Sequence, residues 1–140
     1  MRSKLFIPLA MLFLFFSSSL FSQQGWGSKY NNLYDVNTVE TISGQVTVID
    51  KVYSDNSNSY GVHLIIKTGS GDIAVHLGPG WYIEEQTVQI NTNDNVTLTG
   101  SKVMYEGSQI IIAKEVNKSG QLLKLRDNKG IPVWSGWKNK

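Results

Sequence analysis

The chain contains two histidines, His63 and His76, and they are its sharpest candidates for binding chemistry. Both lie in a stretch of alternating apolar and polar residues, which predicts two β-strands at 60–67 and 72–77. A Gly-Ser-Gly sequence at 69–71 separates the strands and predicts a hairpin turn. One face of this hairpin is apolar, and the histidines lie on the opposite, outer face.

The pairing of these strands determines how close the histidines come. A fold about Ser70-Gly71 that matches the two apolar faces pairs Ile66 with Val75. Leu64 then lies opposite Leu77, and all four side chains point inward. The histidines become diagonal neighbours about 7–8 Å apart, a gap that two imidazoles can span around a metal. Because a stable site usually has three or four ligands, we expect at most weakly held copper, nickel or iron. The alternative is that both histidines are structural.

Aromatic residues follow the second strand of the hairpin. Trp81 and Tyr82 come directly after the break Gly78-Pro79-Gly80. With Lys67 and the two histidines they form the candidate ligand-binding set of the outer face, where aromatic rings can stack on a sugar or a base. The alternative is that Trp81 plugs the end of a small barrel, since a short chain needs large side chains to close its core.

The arrangements typical of enzymes are missing from the sequence. Glu84 and Glu85 are adjacent, so on a helix they diverge and do not form the facing carboxylates of a glycosidase. No serine lies in a Gly-x-Ser-x-Gly motif, and the glycines at 69–71 lack the lysine of a phosphate-binding loop. The chain has no cysteine, which excludes thiolate chemistry and disulfides. We therefore expect a non-enzymatic protein.

The elements around the hairpin predict an all-β fold. A long β-branched strand precedes it at 38–53, and two more strands follow at 94–104 and 109–116. One or two helical turns are expected at 81–86, and a last hairpin joins 121–126 to 131–134. Five short strands with a helical turn between the third and the fourth predict a small OB-like barrel with an additional C-terminal hairpin.

Several residues are assigned structural roles. A glycine in the middle of a strand fits a tight bend in a barrel, as at Gly44 and Gly100. Gly78 and Pro79 end the third strand, because proline cannot donate to the strand ladder. Asp127 is expected to cap the following turn through its own backbone. The remaining predicted structural residues are Arg126, Gly130 and Trp134.

The N-terminus predicts export. Residues 1–22 begin with a basic segment that includes Arg2 and Lys4, continue with an apolar run and end in small residues, the order of a secretory signal peptide. The apolar run is shorter than the roughly 20 residues of a membrane span. Cleavage after it leaves an N-terminal arm at 23–37 and one domain at 38–136, with no transmembrane segment. An exported chain without disulfides suits a bacterial periplasm or exterior.

The charge of the mature chain argues against nucleic-acid binding. Of the 13 basic residues, two lie in the signal peptide, so 11 remain against 11 acidic residues. Proteins that bind nucleic acid without sequence preference depend on neutralising phosphates with an excess of basic side chains. A neutral chain lacks that excess.

Two segments carry a resemblance to a known family. They are VHLIIKTGSGDIAVHLGPGWY at 62–82 and LRDNKGIPVW at 125–134. Both resemble a small domain of magnetosome-associated proteins, the S and X type, among the bacterial OB-fold proteins of the periplasm. The resemblance covers about residues 35–135 and implies an OB-like fold and export. Members of that group are implicated in iron-mineral maturation, some through haem-binding motifs. No Cys-x-x-Cys-His occurs here, so the resemblance implies no haem.

The sequence as a whole predicts an exported binding or accessory module without enzymatic activity. It would use the outer face of the 60–82 hairpin for a small ligand, a metal ion or a protein partner. One alternative is a purely structural interaction domain that docks by an exposed edge strand. Another is an OB domain that binds oligosaccharide or nucleic acid. Beyond weak transition-metal binding, no cofactor is expected.

Overall fold

The computed structural model describes residues 32–54 and 58–135. The predicted signal peptide and the first part of the arm, up to residue 31, lie outside the described residues. Within the described ranges no helix has the length and apolar character that a membrane crossing requires. The strands are β1 Val39–Tyr53, β2 Tyr60–Thr68, β3 Gly71–Pro79, β4 Asn95–Tyr105, β5 Ser108–Lys118 and β6 Gln121–Lys124. A 3-10 turn, Val36–Thr38, precedes β1, and a short helix α1, Gly80–Glu84, follows β3.

The six strands form one sheet that closes on itself. Their order is β3-β2-β1-β4-β5-β6, and a further pairing joins β3 to β5. This pairing is parallel, while the other neighbours are antiparallel. The ring therefore runs β1-β2-β3-β5-β4, and β6 lies outside it. The predicted all-β, OB-like arrangement of five strands with one short helix is confirmed as a closed ring of strands.

The first strand serves two neighbours because it bends. Its first half, Val39 to Gln45, pairs with β4, and its second half pairs with β2. At the junction, a Cβ on Gly44 would collide with the carbonyl of Lys67. Gly100 on β4 is equally close to the carbonyl of Ile112. Both positions need glycine because a neighbouring backbone occupies the space of a side chain.

The core fills the inside of the ring. Its centre includes the four hairpin residues predicted to point inward, all of them 0% exposed: Leu64, Ile66, Val75 and Leu77. Helix α1 follows β3, and its Tyr82 and Ile83 are buried in the same cluster. Trp81 is only partly buried against it. The plug predicted for Trp81 is therefore supplied mainly by the two residues that follow.

The C-terminal segment differs in detail from the predicted hairpin. Residues Gln121–Lys124 pair with β5, and the return strand is reduced to a single bridge between Arg126 and Pro132. The predicted first strand of the hairpin pairs with the edge of β5 instead of with residues 131–134, which accounts for the short return strand. The turn itself is as predicted: a carboxylate oxygen of Asp127 accepts hydrogen bonds from the backbone N–H groups of Lys129, at 2.8 Å, and Ile131, at 3.0 Å. These bonds lower the pKa of Asp127.

Candidate functional site

The hairpin that carries the histidines has a register two residues away from the predicted one. Leu64 lies opposite Val75, and the strands are joined by the two residues Gly69-Ser70. Thr68 stabilises this tight turn, since its hydroxyl donates to the carbonyl of Gly71 at 2.7 Å. The predicted pairs were wrong, but a shift of two residues preserves which side chains face inward. The residues that face inward were therefore predicted correctly, although their cross-strand partners were not.

The corrected register makes the histidines direct neighbours. His63 and His76 are paired across β2 and β3 rather than diagonal. Their rings stack with centroids 3.7 Å apart and planes inclined by only 5°. The ring of Tyr105 meets His76 edge-on at 5.8 Å. The two imidazoles and this tyrosine form one aromatic cluster on the outside of the ring.

The outer face is more covered than the alternating pattern predicts. His76 is only 6% exposed. Beside it, Ile110 and Ile112 on β5 point away from the core and are buried by a second cluster. That cluster contains Leu33, Tyr34, Ala74, Val103 and Tyr105. His76 lies on the outer face, as predicted, but it is buried there, where it packs against His63 and Tyr105. The segment before β1 folds back over the neighbouring isoleucines of β5 through Leu33 and Tyr34.

Hydrogen bonds hold that covering segment in place. The backbone N–H of Asp35 donates to the hydroxyl of Ser101 on β4 at 2.9 Å. The hydroxyl of Thr38 shares a 2.8 Å hydrogen bond with the same serine. Ser101 is 0% exposed, so these contacts also satisfy a buried polar group. The segment before β1 is thus attached to β4, the strand that neighbours β5.

Burial controls the charge of His63. The pKa of His63 is lowered to about 4, mainly because burial disfavours the imidazolium, and Asp50 opposes this effect. Asp50 is the direct β1 neighbour of His63 and is itself exposed. At neutral pH, His63 is therefore uncharged and can stack without repulsion.

The stacked geometry does not suit a shared metal ion. An imidazole binds a metal in the plane of its ring, at about 2.0–2.1 Å from nitrogen. Two parallel, stacked rings have no point that lies in both planes, so one ring would have to rotate before both could bind the same ion. Among the residues that the structure describes, no group of three or more His, Asp, Glu or Cys residues is placed to hold a metal.

The other members of the predicted ligand set lie elsewhere. Lys67 is exposed at the end of β2, four residues or about 13 Å along the strand from His63. Tyr82 is 5% exposed, and its hydroxyl donates to the carbonyl of Lys124 at 2.9 Å. It belongs to the core and not to an outer surface. Trp81 is partly buried beside it. Within the predicted set, the two histidines stack on the outer face and Trp81 meets Tyr82 edge-on at 6.2 Å, but these two pairs and Lys67 do not form one site.

The predicted structural residues near the C-terminus enclose one end of the ring. A Cβ on Gly78 would lie 2.6 Å from the indole of Trp134, which also packs 5.0 Å from the ring of Tyr82. Arg126 is 2% exposed and donates to the carbonyl of Ala113 at 2.8 Å. Its guanidinium lies 5.4 Å from the Trp134 ring.

Two further predicted positions complete this end. Pro79 is the last residue of β3 and directly precedes α1. Gly130, with φ of 87°, packs so closely on the ring of Tyr34 that a side chain there would collide with it. The burial of Arg126 lowers its pKa to about 10. Because Gly130 packs on Tyr34, the C-terminal turn supports the tyrosine that covers the outer face of the sheet.

An apolar row crosses the outer face beside the histidines. Val48, Ile65 and Ala74 are successive neighbours across β1, β2 and β3, and Ala74 continues to Ile110 on β5. The β5 end of this row is covered, whereas Val48 at the other end is 41% exposed. We call this row together with His63 and His76 the histidine face. The run of three isoleucines at 110–112 was the available sequence signal, since it predicts a strand buried on both sides.

A second surface, not predicted from the sequence, lies where Lys67 points. It is an open groove of about 630 Å³ between β1, β4 and the turns after β2 and β5. Uncharged polar side chains form most of its lining, together with Lys67: Ser43, Gln45, Asn95, Thr97, Asn117 and Ser119. We call it the polar groove. Its lining comes from four separate segments of the chain, so no local sequence motif predicts it.

Comparison with known proteins agrees with the resemblance of the two sequence segments. The MamS/MamX magnetosome protein family matches residues 38–123, which include β1 to β5 and most of β6. None of the curated proteins matches the chain. The match spans more than half of the chain and contains the whole ring of strands. The chain therefore belongs to the MamS/MamX magnetosome protein family.

Proposed function

We propose that the protein is an exported, non-enzymatic accessory module that docks a protein partner through the uncovered part of the histidine face. Membership of the MamS/MamX magnetosome protein family supports an accessory role. The observation that carries the proposal is the apolar row of this face. It is buried by Leu33 and Tyr34 at its β5 end and exposed at Val48.

The chemistry of the accessible part favours a protein over a metal ion. The stacked imidazoles do not converge on one ion, and His76 is nearly inaccessible. The apolar side chains that solvent reaches there are Val48 and the nearby Val52, which is 38% exposed. Contiguous apolar surface with a polar border is typical of protein–protein interfaces. The exposed Asp50 lies between these two valines along β1, so the accessible surface combines apolar side chains with one carboxylate.

The edge of β1 supports the same proposal. Its second half pairs with β2 on one side. Among the described residues, no backbone hydrogen bond joins residues 48–53 to a strand on the other side. An unpaired edge can accept an extended segment of another protein, which adds main-chain hydrogen bonds to the apolar contact. The docking surface therefore combines the exposed valines with this edge.

Site-specific photocrosslinking in the native cell tests the docking surface. A photoreactive residue at Val52 should yield a discrete protein adduct, and the same residue at Thr41 on the same strand should not. Val48→Asp should reduce the Val52 adduct about tenfold, equivalent to 1.4 kcal/mol of binding, while Thr41→Asp leaves it unchanged. Adducts of equal yield from positions 41 and 52, or none from position 52, would refute the proposal.

Export is the second part of the proposal. It rests on the order of basic, apolar and small residues at 1–22. Mass spectrometry of the mature protein from periplasmic or secreted material should find an N-terminus near Gln23. Recovery of the protein from the cytosol with Met1 intact would contradict export and leave the docking surface to be judged by crosslinking.

A further inference from the structure

We propose that the polar groove binds an oligosaccharide that carries an anionic group, with Lys67 as the contact for that group. The groove differs from the histidine face in both position and chemistry. Its lining contains hydroxyl and amide side chains, one ammonium group and no aromatic ring or carboxylate. Its volume of about 630 Å³ lies within the usual range for small-molecule sites, about 300–1,000 Å³.

Part of the groove is held in position before any ligand binds. Ser43 and Thr97 share a 2.8 Å hydrogen bond between their hydroxyl groups across β1 and β4. The side-chain oxygen of Asn117 accepts from the backbone N–H of Gly120 at 2.9 Å. Such fixed side chains lose little further freedom on binding. They form a rigid part of the groove wall.

An ion pair joins two sides of the groove. Lys118 on β5 bonds to the carboxylate of Asp94 at 2.8 Å and to the carbonyl of Gln89 at 2.7 Å. This ties the turn after β5 to the beginning of β4. The same turn holds Ser119 at φ of 54°, a conformation that is uncommon outside glycine. Ser119 is thereby kept at the rim of the groove.

Another part of the groove has free hydrogen-bonding capacity. Within the described residues, the Lys67 ammonium, the Asn95 amide and the Ser119 hydroxyl make no side-chain hydrogen bond or ion pair. They come from β2, β4 and the turn after β5, and so surround the groove on three sides. Asp72 is the direct neighbour of Lys67 across β3, but in the described structure the two side chains form no ion pair and Asp72 does not line the groove.

These groups select a class of ligand. Hydroxyl and amide side chains both donate and accept, which matches the hydroxyl groups of sugars. A nucleic-acid strand would need aromatic rings for its bases and several cations for its phosphates. The lining provides neither. Since Lys67 is the single charged lining residue, a cationic ligand would be repelled, and a carboxylate or sulfate on a sugar would be attracted.

Titration of the ¹⁵N-labelled protein followed by NMR tests the proposal. The probes are a hyaluronan tetrasaccharide, which carries carboxylates, and tetra-N-acetylchitotetraose, which is neutral. The acidic probe should give saturable shifts at Gln45, Lys67, Ser119 and Gly120, and leave His63 unchanged. Lys67→Gln should weaken its binding about tenfold, as expected for a charge-assisted hydrogen bond. Asn95→Ala should weaken it about threefold, near the lower end of the range for a neutral hydrogen bond.

Lys124→Gln is the matched control, since Lys124 is exposed on β6 outside the groove. It should bind the acidic probe like the unmodified protein. Spectra of the variants without ligand report whether the fold is intact. No saturable shift in the groove, or equal weakening by Lys67→Gln and Lys124→Gln, would overturn the proposal. Equal affinity for the two probes would overturn the assigned role of Lys67.

Discussion

The histidine face and the polar groove share strand β2 and differ in almost every physical property. His63 and Lys67 both point outward from this strand, four residues apart. His63 is buried enough to lose its charge, whereas Lys67 is exposed. The difference comes from neighbours: isoleucines on β5 and the segment before β1 form a cluster beside the histidine pair, while turns rich in glycine and serine surround Lys67. An outward direction therefore does not determine exposure.

The two regions should differ most in their contribution to stability. Ile112→Ala removes a side chain that is 0% exposed under the covered half of the histidine face, and it should cost about 2–5 kcal/mol. Thr97→Ala in the polar groove removes one exposed hydroxyl and should cost about 0.5 kcal/mol. Urea unfolding of both variants measures the contrast. Equal losses would mean that the outer cluster contributes no packing energy.

Between pH 7 and pH 4.5, acid should weaken the histidine face more than the groove, because the Asp94 carboxylate beside Lys118 has a lowered pKa and stays charged in this range. Because the pKa of His63 falls from 6.5 to about 4 on folding, the unfolded chain binds more protons between these values. Stability is therefore complete above about pH 6.5 and declines as the pH falls toward 4. We expect a loss of about 2 kcal/mol, after allowing for the part of the ring that solvent screens.

His63→Gln provides the control for this pH dependence, since glutamine does not titrate. Urea midpoints at pH 7.0 and pH 4.5 should differ less in this variant than in the unmodified protein. Lys67→Gln should keep the full difference. If His63→Gln shows an unchanged slope with pH, the loss arises from other groups.

A substitution in the segment before β1 that covers the outer face should have a smaller effect on stability, and of the opposite sign. The hydroxyl of Tyr34 is buried and donates to no acceptor among the described residues. A buried polar group without a partner costs free energy, so Tyr34→Phe should raise the free energy of unfolding by about 1 kcal/mol. Thermal or urea unfolding checks the sign. A loss of stability would show that the hydroxyl has a partner, such as water or a residue outside 32–54 and 58–135.

Substitution of either histidine should have the smallest effect, because we expect little metal binding that it could remove. Since the stacked rings cannot share an ion without rotation, calorimetry with nickel or copper at pH 7.5 should give at most weak heat. The unmodified protein, His63→Ala and His76→Ala should be alike. Heat that is present in the unmodified protein and lost in both variants would instead establish a site that rotates one ring on binding.

The sequence determined features that depend on local spacing. Alternation along the hairpin identified Leu64, Ile66, Val75 and Leu77 as core residues, and an aspartate before Asn-Lys-Gly predicted its own turn. These predictions succeed because side-chain direction in a strand repeats every two residues. The bend at Gly44 could be predicted for a similar reason, since a glycine in a β-branched strand indicates close approach of another backbone.

Tertiary structure alone decided what lies over each surface. Alternation does not distinguish registers that differ by two residues, so the histidine stack depended on the two-residue turn at Gly69-Ser70. The burial of His76 depended on contacts with His63 on the neighbouring strand and with Tyr105, far away in sequence. The polar groove required four segments to meet. Coverage of a strand by distant parts of the chain leaves no periodic trace in that strand, which is why alternation predicted the faces but not their exposure.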